Sequence, residues 1–312
     1  MFYEGSEKKA EIIVNSKNLS LLNDIDDAFW HTLVQCCNAQ VLSTIHNASC
    51  KAFLLSESSL FVWHDRLLIL TCGVTQLVKS VEFLINEFGV GNIQHLIYQR
   101  KNEYFAHKQA SSFNDDVHRL SQCIPGKAYR FGELDSHHNY VFHIDNDYQA
   151  CRHDKTYEFL AYQISPQASA KLCSPELTSE SIRNYLQVDL LLPNFQIDDF
   201  IFEPYGYSLN AINNDRYLTI HVTPQAGSSY VSVETNINLL EELPLLIDIL
   251  QPASFDLLSF NEINFQQITQ MKIPPDYVSK SKVTEQFNSG YNVCFASFLK
   301  PQTHFTSATR LK

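Results

Sequence analysis

A strand–helix–strand pattern runs through this 312-residue chain twice, and few folds satisfy it. In the first half Arg66 to Thr71 reads as a strand. Leu77, Val78, Val81, Leu84 and Ile85 then line one face of a helix, Gly89 offers its C-terminal stop, and Ile93 to Tyr98 returns as a strand. In the second half Tyr230 to Thr235 runs into a helix carrying Leu239, Leu240, Leu243, Leu246, Ile247 and Leu250, and Phe255 to Phe260 follows. Pro244 should kink that helix. The repetition favours two similar α+β halves. Ala10 to Val14, Val41 to Ile45, Lys51 to Leu55, Leu60 to Trp63, Tyr129 to Phe131 and Tyr140 to Ile144 add short strands, whose close succession implies antiparallel pairing. Asp26 to Cys37 and Asp115 to Cys123 have helical spacing. The polar stretch from Asp145 puts a boundary near residue 150, which divides the chain into halves 1–150 and 151–312.

Charge narrows the function. Lys plus Arg total 23 against 34 Asp plus Glu, a formal net charge of −11, which argues against general nucleic-acid binding through clustered cations. The same acidity suits a cationic small ligand. No apolar run reaches membrane-spanning length, and Met1 to Lys8 carries two acids with no signal-peptide apolar region, so a soluble, cytoplasmic protein is expected, with no membrane partner. Eight cysteines without a CxxC pair fit neither a zinc site nor a dense disulfide framework, and most read as buried apolar thiols. His137, His138 and His143 lack a carboxylate or cysteine at ligand spacing and are expected as surface histidines, with no metal.

Leu54 to Val62 breaks its own pattern. Ser56-Glu57-Ser58-Ser59 interrupts a segment whose ends are those of a buried strand, and buried polar side chains need partners. Two readings stand side by side: a polar turn between two short strands, or a functional site, where local rules are broken. His221 lies in a similarly apolar strand, Tyr217 to Pro224.

Seven segments, in order from residue 3 to residue 236, together resemble the eukaryotic-type S-adenosylmethionine decarboxylases. They are Tyr3-Glu4-Gly5-Ser6-Glu7-Lys8, Leu54 to Val62, Thr71-Cys72-Gly73, Tyr98-Gln99-Arg100-Lys101-Asn102, Gly206-Tyr207-Ser208-Leu209-Asn210, Thr219 to Pro224, and Ser229 to Asn236. The resemblance implies one four-layer αββα sandwich: two antiparallel sheets flanked by helices, in two similar halves. The first half would carry the self-cleavage site and the second the processing serine and histidine.

It also implies a chemistry. The proenzyme would cut itself between Glu57 and Ser58, with the Ser58 hydroxyl attacking the Glu57 carbonyl to give an ester. Ser208 matches the residue credited with stabilising the oxyanion, and His221 the base that removes the Ser58 α-proton. The product is a pyruvoyl group made from Ser58, which forms a Schiff base with the substrate and acts as an electron sink. Cys72 matches the proton donor of the decarboxylation, and Glu4 and Glu7 match acids near the site. Tyr3 and Phe202 match aromatics that sandwich adenine, and Leu55 and Glu57 would offer backbone atoms to its edge. Gln225 stands where the family has a carboxylate that grips the ribose hydroxyls; a neutral amide accepts more weakly.

Glu11, Asp154, Thr156, Glu158, Glu234 and Tyr291 match residues around the putrescine that activates animal members. Leu70 replaces a lysine usual there, so an uncompensated negative cluster that binds a diamine is expected. The expected activity is decarboxylation of S-adenosylmethionine to the aminopropyl donor for spermidine. A pyruvoyl-dependent decarboxylase of another amino acid, and an inactive regulatory homologue, are the alternatives. A homodimer is one assembly the resemblance allows.

Overall fold

The computed structural model describes residues 7–174, 176–224, 229–305 and 307–308. The first half holds strands β1 (Lys8–Val14), β2 (Val41–His46), β3 (Lys51–Leu55), β4 (Ser58–Val62), β5 (Arg66–Thr71), β6 (Ile93–Lys101), β7 (Gly126–Gly132) and β8 (His138–Ile144). Its helices are α1 (Asp27–Cys36), α2 (Leu77–Phe88) and α3 (Phe113–Cys123). The second half holds β9 (Thr156–Tyr162), β10 (Gln196–Ile201), β11 (Tyr207–Asn213), β12 (Arg216–Thr223), β13 (Tyr230–Thr235), β14 (Ser254–Phe260), β15 (Val278–Gln286) and β16 (Asn292–Leu299). Its helices are α4 (Pro166–Leu172), α5 (Ser179–Tyr185), α6 (Val188–Leu191), α7 (Leu243–Leu250) and α8 (Phe265–Lys272).

Among the described residues these strands form two eight-stranded sheets, ordered β2-β3-β4-β5-β1-β6-β8-β7 and β10-β11-β12-β13-β9-β14-β16-β15. Adding eight to each strand number converts the first order into the second. Every strand pairing is antiparallel. The duplication visible in one strand–helix–strand unit therefore extends across both halves. One detail differs from the sequence reading. Pro244 kinks nothing, because it lies in the first turn of α7, where a missing N–H costs no hydrogen bond; a separate 3-10 turn, Leu239–Glu241, precedes it.

Strand alternation explains the layers. On β1, Ala10, Ile12 and Val14 join Trp30, Leu33, Leu84 and Leu120 of α1, α2 and α3 in one apolar layer. On β12, Leu218, Ile220 and Val222 join Leu243, Ile247 and Leu250 of α7 in the other. The opposite faces meet between the sheets, with β3 against β11 and β2 against β10. That middle layer is only partly apolar. Phe61, Trp63, Leu68 and Tyr217 fill one region and Ile97, Phe131, Leu258 and Phe295 another. Buried charges bridge the sheets beside them: Lys9 to Glu158 at 2.7 Å and Lys101 to Asp256 at 2.8 Å. A buried charge is tolerated only when paired, and each of these pairs draws one partner from each sheet.

The histidine cluster is not on the surface. His138 and His143 are buried, and His143 stacks on Phe287 with ring centroids 4.1 Å apart, because β8 is covered by the second sheet. The cysteines divide as well: Cys37, Cys50, Cys72 and Cys294 are buried, whereas Cys151 is exposed.

Candidate active site

Ser56 and Glu57 form a two-residue turn, and Ser58 and Ser59 belong to β4, where both are buried. The turn reading and the site reading thus describe successive residues. Leu60 and Val62 point to the helix layer and Phe61 to the other sheet, so a regular pleat would send Ser58 toward the helices. It does not go there. Ser58 has φ 144°, a conformation that L-residues rarely adopt, and its Oγ lies 2.9 Å from His221 Nε2 on the opposite sheet.

The facing strands supply a ladder of polar side chains. Ser208 pairs with His221, and Asn210 with Thr219, across β11 and β12. Ser208 Oγ contacts His221 Nδ1 at 2.9 Å, and Thr219 Oγ1 contacts Nε2 at 2.9 Å. Both ring nitrogens are therefore engaged. Burial disfavours the imidazolium and lowers the His221 pKa to about 3, so the ring rests neutral.

The Glu57 carbonyl is gripped from the end of β5. It accepts the Cys72 backbone N–H at 2.9 Å and the Cys72 thiol at 3.3 Å. Those two donors lie where an oxyanion at Glu57 would develop, and Ser208, in the same cavity wall, is held beside the imidazole by its register with His221. Gly73 follows with φ 63°, and a Cβ there would meet a Glu57 carboxylate oxygen at 3.3 Å. Lys8 Nζ donates to the Gly73 carbonyl at 2.9 Å, which ties β1 to the same loop. Glu7 accepts from Ser232; burial, with Glu234 and Glu158 nearby, raises its pKa to about 8.

Glu7, Glu57, Ser58, Cys72, Phe202, Ser208 and His221 surround a cavity of about 10 Å³, room for one water at most. A far larger cavity, about 1020 Å³, lies beyond Arg100, Lys101 and His138 and contains none of these groups. The chemistry marks the smaller one. Leu55 packs its side chain into the core of the first half and pairs its backbone with Ser58 at the site. Tyr3, Glu4 and Gln225 lie outside the described residues.

The second predicted cluster also assembles, with a different charge balance. Lys9 Nζ sits 2.7 Å from Glu158 and 3.0 Å from Glu234, and these carboxylates hold its pKa above the ordinary lysine range despite burial. Arg66 pairs with Glu11 at 3.2 Å and Asp154 at 2.5 Å, and Tyr291 donates to Asp154. Thr156, Glu11 and Asp154 line a cavity of about 420 Å³ with Trp63 and Tyr217. The cluster expected to be uncompensated is partly compensated from within: two cations, Lys9 and Arg66, each sit between two of its four carboxylates. Lys9 is two residues from Glu11, so the same alternation that turns Glu11 inward turns Lys9 inward. That signal was present in the sequence, as was the polar alternation Ser208, Asn210 facing Thr219, His221.

The sequence also matches known proteins. The family model described as adenosylmethionine decarboxylase matches residues 1–299. An S-adenosylmethionine decarboxylase proenzyme of Xenopus laevis is 30% identical over 325 residues, covering 96% of each chain. The Dictyostelium discoideum proenzyme is 29% identical, covering 95% of this chain and 85% of that one. A crystal structure of Trypanosoma brucei AdoMetDC-delta26 monomer superposes with a TM-score of 0.60 at 21% identity, over 78% of this chain and 99% of that chain, which supports the fold. This chain belongs to the adenosylmethionine decarboxylase family.

Proposed function

We propose that the chain is a proenzyme that cleaves itself between Glu57 and Ser58 and then decarboxylates S-adenosylmethionine, yielding the aminopropyl donor for spermidine synthesis. The observation that carries this reading is the strained Ser58, whose Oγ lies 2.9 Å from His221 Nε2 while its neighbour's carbonyl is held by two Cys72 donors. Ser58 Oγ attacks the Glu57 carbonyl carbon, its proton passes through His221 to the departing Ser58 nitrogen, and the C–N bond breaks to leave an ester. Cys72 N–H and Sγ–H stabilise the oxyanion between these states. His221 next removes the α-proton of residue 58; the Cβ–Oγ bond breaks, and Glu57 leaves as a carboxylate. The dehydroalanine tautomerises to an imine, and water releases ammonia from it.

The residues present fit a pyruvoyl group at position 58, since nucleophile, base and carbonyl donors converge there. When formed, it supplies a ketone that captures the substrate amine and draws off electrons as carbon dioxide leaves. Cys72 holds a thiol proton beside that position for return to carbon. Glu7 stays protonated up to pH of about 8 and provides a second proton on the cavity wall.

Lys9 and Arg66 support activity without a diamine, because each already places a cation between two of the four carboxylates. Added putrescine should leave turnover unchanged. Gln225 supports a second reading, in which the same machinery acts on another amino acid. Carbon dioxide release from S-adenosylmethionine and from plain amino acids separates the two. Inactivity toward S-adenosylmethionine in a cleaved chain would overturn the first.

A further inference from the structure

Three hydroxyls crowd His221 Nε2 among the described residues: Ser58 and Thr219 at 2.9 Å and Ser59 at 3.4 Å. Self-cleavage at one bond requires that one of them be the donor. We propose that Asn210 makes that selection: it is a positioning residue that takes up the Ser59 and Thr219 protons and leaves Ser58 as the hydroxyl whose proton His221 removes. The inference rests on the self-cleavage reading above.

Asn210 is fully buried on β11, and its Nδ2 donates to the Phe53 carbonyl at 3.1 Å. A carbonyl only accepts, so the amide is fixed with Oδ1 turned the other way. Oδ1 accepts from Ser59 Oγ at 2.6 Å and from Thr219 Oγ1 at 3.1 Å, which uses both of its lone pairs. A hydroxyl has one proton. Once those two are committed to Asn210, Ser59 and Thr219 can present only lone pairs to His221.

Two consequences follow, one for each stage of the reaction. At rest, self-cleavage requires the Nδ1–H tautomer, with Nδ1 donating to Ser208 at 2.9 Å. The Nε2 lone pair is then offered three oxygens, of which only Ser58 retains a proton to give. Later, when the α-proton of residue 58 is taken, the C–H electron pair becomes the Cα–Cβ double bond and the Glu57 carboxylate departs. The proton stays on Nε2, where the Thr219 and Ser59 oxygens already face it as acceptors. A buried imidazolium is costly without such acceptors, and here they need no reorientation.

The test follows fragment formation by wild type, Asn210→Asp, Asn210→Leu, Thr219→Val and the Asn210→Leu/Thr219→Val double variant between pH 3 and pH 9, with thermal melting alongside. Asn210→Asp keeps an acceptor for both hydroxyls and should cleave within about threefold of wild type. Its negative charge raises the proton affinity of His221, so the acid limb of its pH–rate profile should move to higher pH. Asn210→Leu should fold and cleave at least ~10-fold more slowly, within the range of a mispositioned general base. Thr219→Val should add little to Asn210→Leu, because both act through one network. Wild-type cleavage by Asn210→Leu would overturn the inference, as would equal slowing by both Asn210 variants with an unmoved profile. If Asn210→Leu does not fold, the Asn210→Asp profile decides, and an unmoved acid limb overturns the inference. A wild-type chain that never cleaves would instead overturn the reading on which it rests.

Discussion

Two hairpins occupy the same place in the two halves of the molecule and behave differently. In the first, Ser56 and Glu57 join β3 to β4; in the second, Asn214 and Asp215 join β11 to β12. Each loop has two residues. In the second hairpin the left-handed residue is Asn214, with φ 56°, inside the turn and of a type that tolerates it. Its carbonyls accept from inert donors: Asn47 Nδ2 reaches Asn214 at 3.0 Å and Trp63 Nε1 reaches Asp215 at 3.1 Å. In the first hairpin the positive φ falls on Ser58, after the turn, and the carbonyl before it meets a backbone N–H and a thiol while the hydroxyl meets an imidazole. One topological feature has been kept as a connection in one half and strained into a reactive bond in the other. The lesson is that cleavage needs strain, nucleophile and base together, since the hairpin alone is inert.

The largest effect should come from removing the nucleophile. Ser58→Ala leaves both hairpins in place, and its chain should remain whole indefinitely on a denaturing gel; any fragment at position 57 would break the comparison. Lys9→Met comes next. It strands Glu158 and Glu234 between the sheets, an effect of about 3–5 kcal/mol for an unpaired buried charge, and should lower the melting temperature by several degrees. Putrescine should restore part of that loss in the variant and none in wild type.

A smaller effect should follow from making the first hairpin like the second. Ser56→Asn with Glu57→Gly moves the left-handed conformation into the turn. Strain of this kind amounts to about 1–3 kcal/mol, so cleavage should slow ~5- to 150-fold; an unchanged rate would mean that the Ser58 conformation contributes nothing. Glu7 gives the pH dependence. Its carboxyl is protonated in the folded chain up to about pH 8 but loses its proton near the ordinary value of 4.5 when unfolded. Its contribution to stability is full below that ordinary range and is lost as pH rises to about 8. Glu7→Gln should flatten that decline in a series of melts. The smallest effect belongs to the second hairpin: Asn214→Gly should leave cleavage untouched and stability within about 0.5 kcal/mol.

Much of this architecture was legible before any coordinates. Lys51 to Leu55, Arg66 to Thr71 and Tyr230 to Thr235 coincide with observed strands, because buried runs bounded by turns have few other conformations. Ser58, Cys72, Ser208 and His221 were named from the sequence by resemblance and converge in the fold. What the sequence hid was the relation between the two sheets. Nothing local says that Lys9 reaches two glutamates some 150 and 225 residues later, or that Ser208 contacts the imidazole of His221. Those contacts depend on sheet packing, which sequence spacing does not encode. The histidines at 138 and 143 are buried, against the surface expectation, for the same reason: the second sheet covers β8.

The central claim concerns one bond, and the mass of the purified chain, incubated at neutral pH, tests it most directly. The account predicts two polypeptides, residues 1–57 and 58–312, the second with a blocked N-terminus. Together they should exceed the starting chain only by one water gained less one ammonia lost. A single species that keeps the full 35.8 kDa would contradict it.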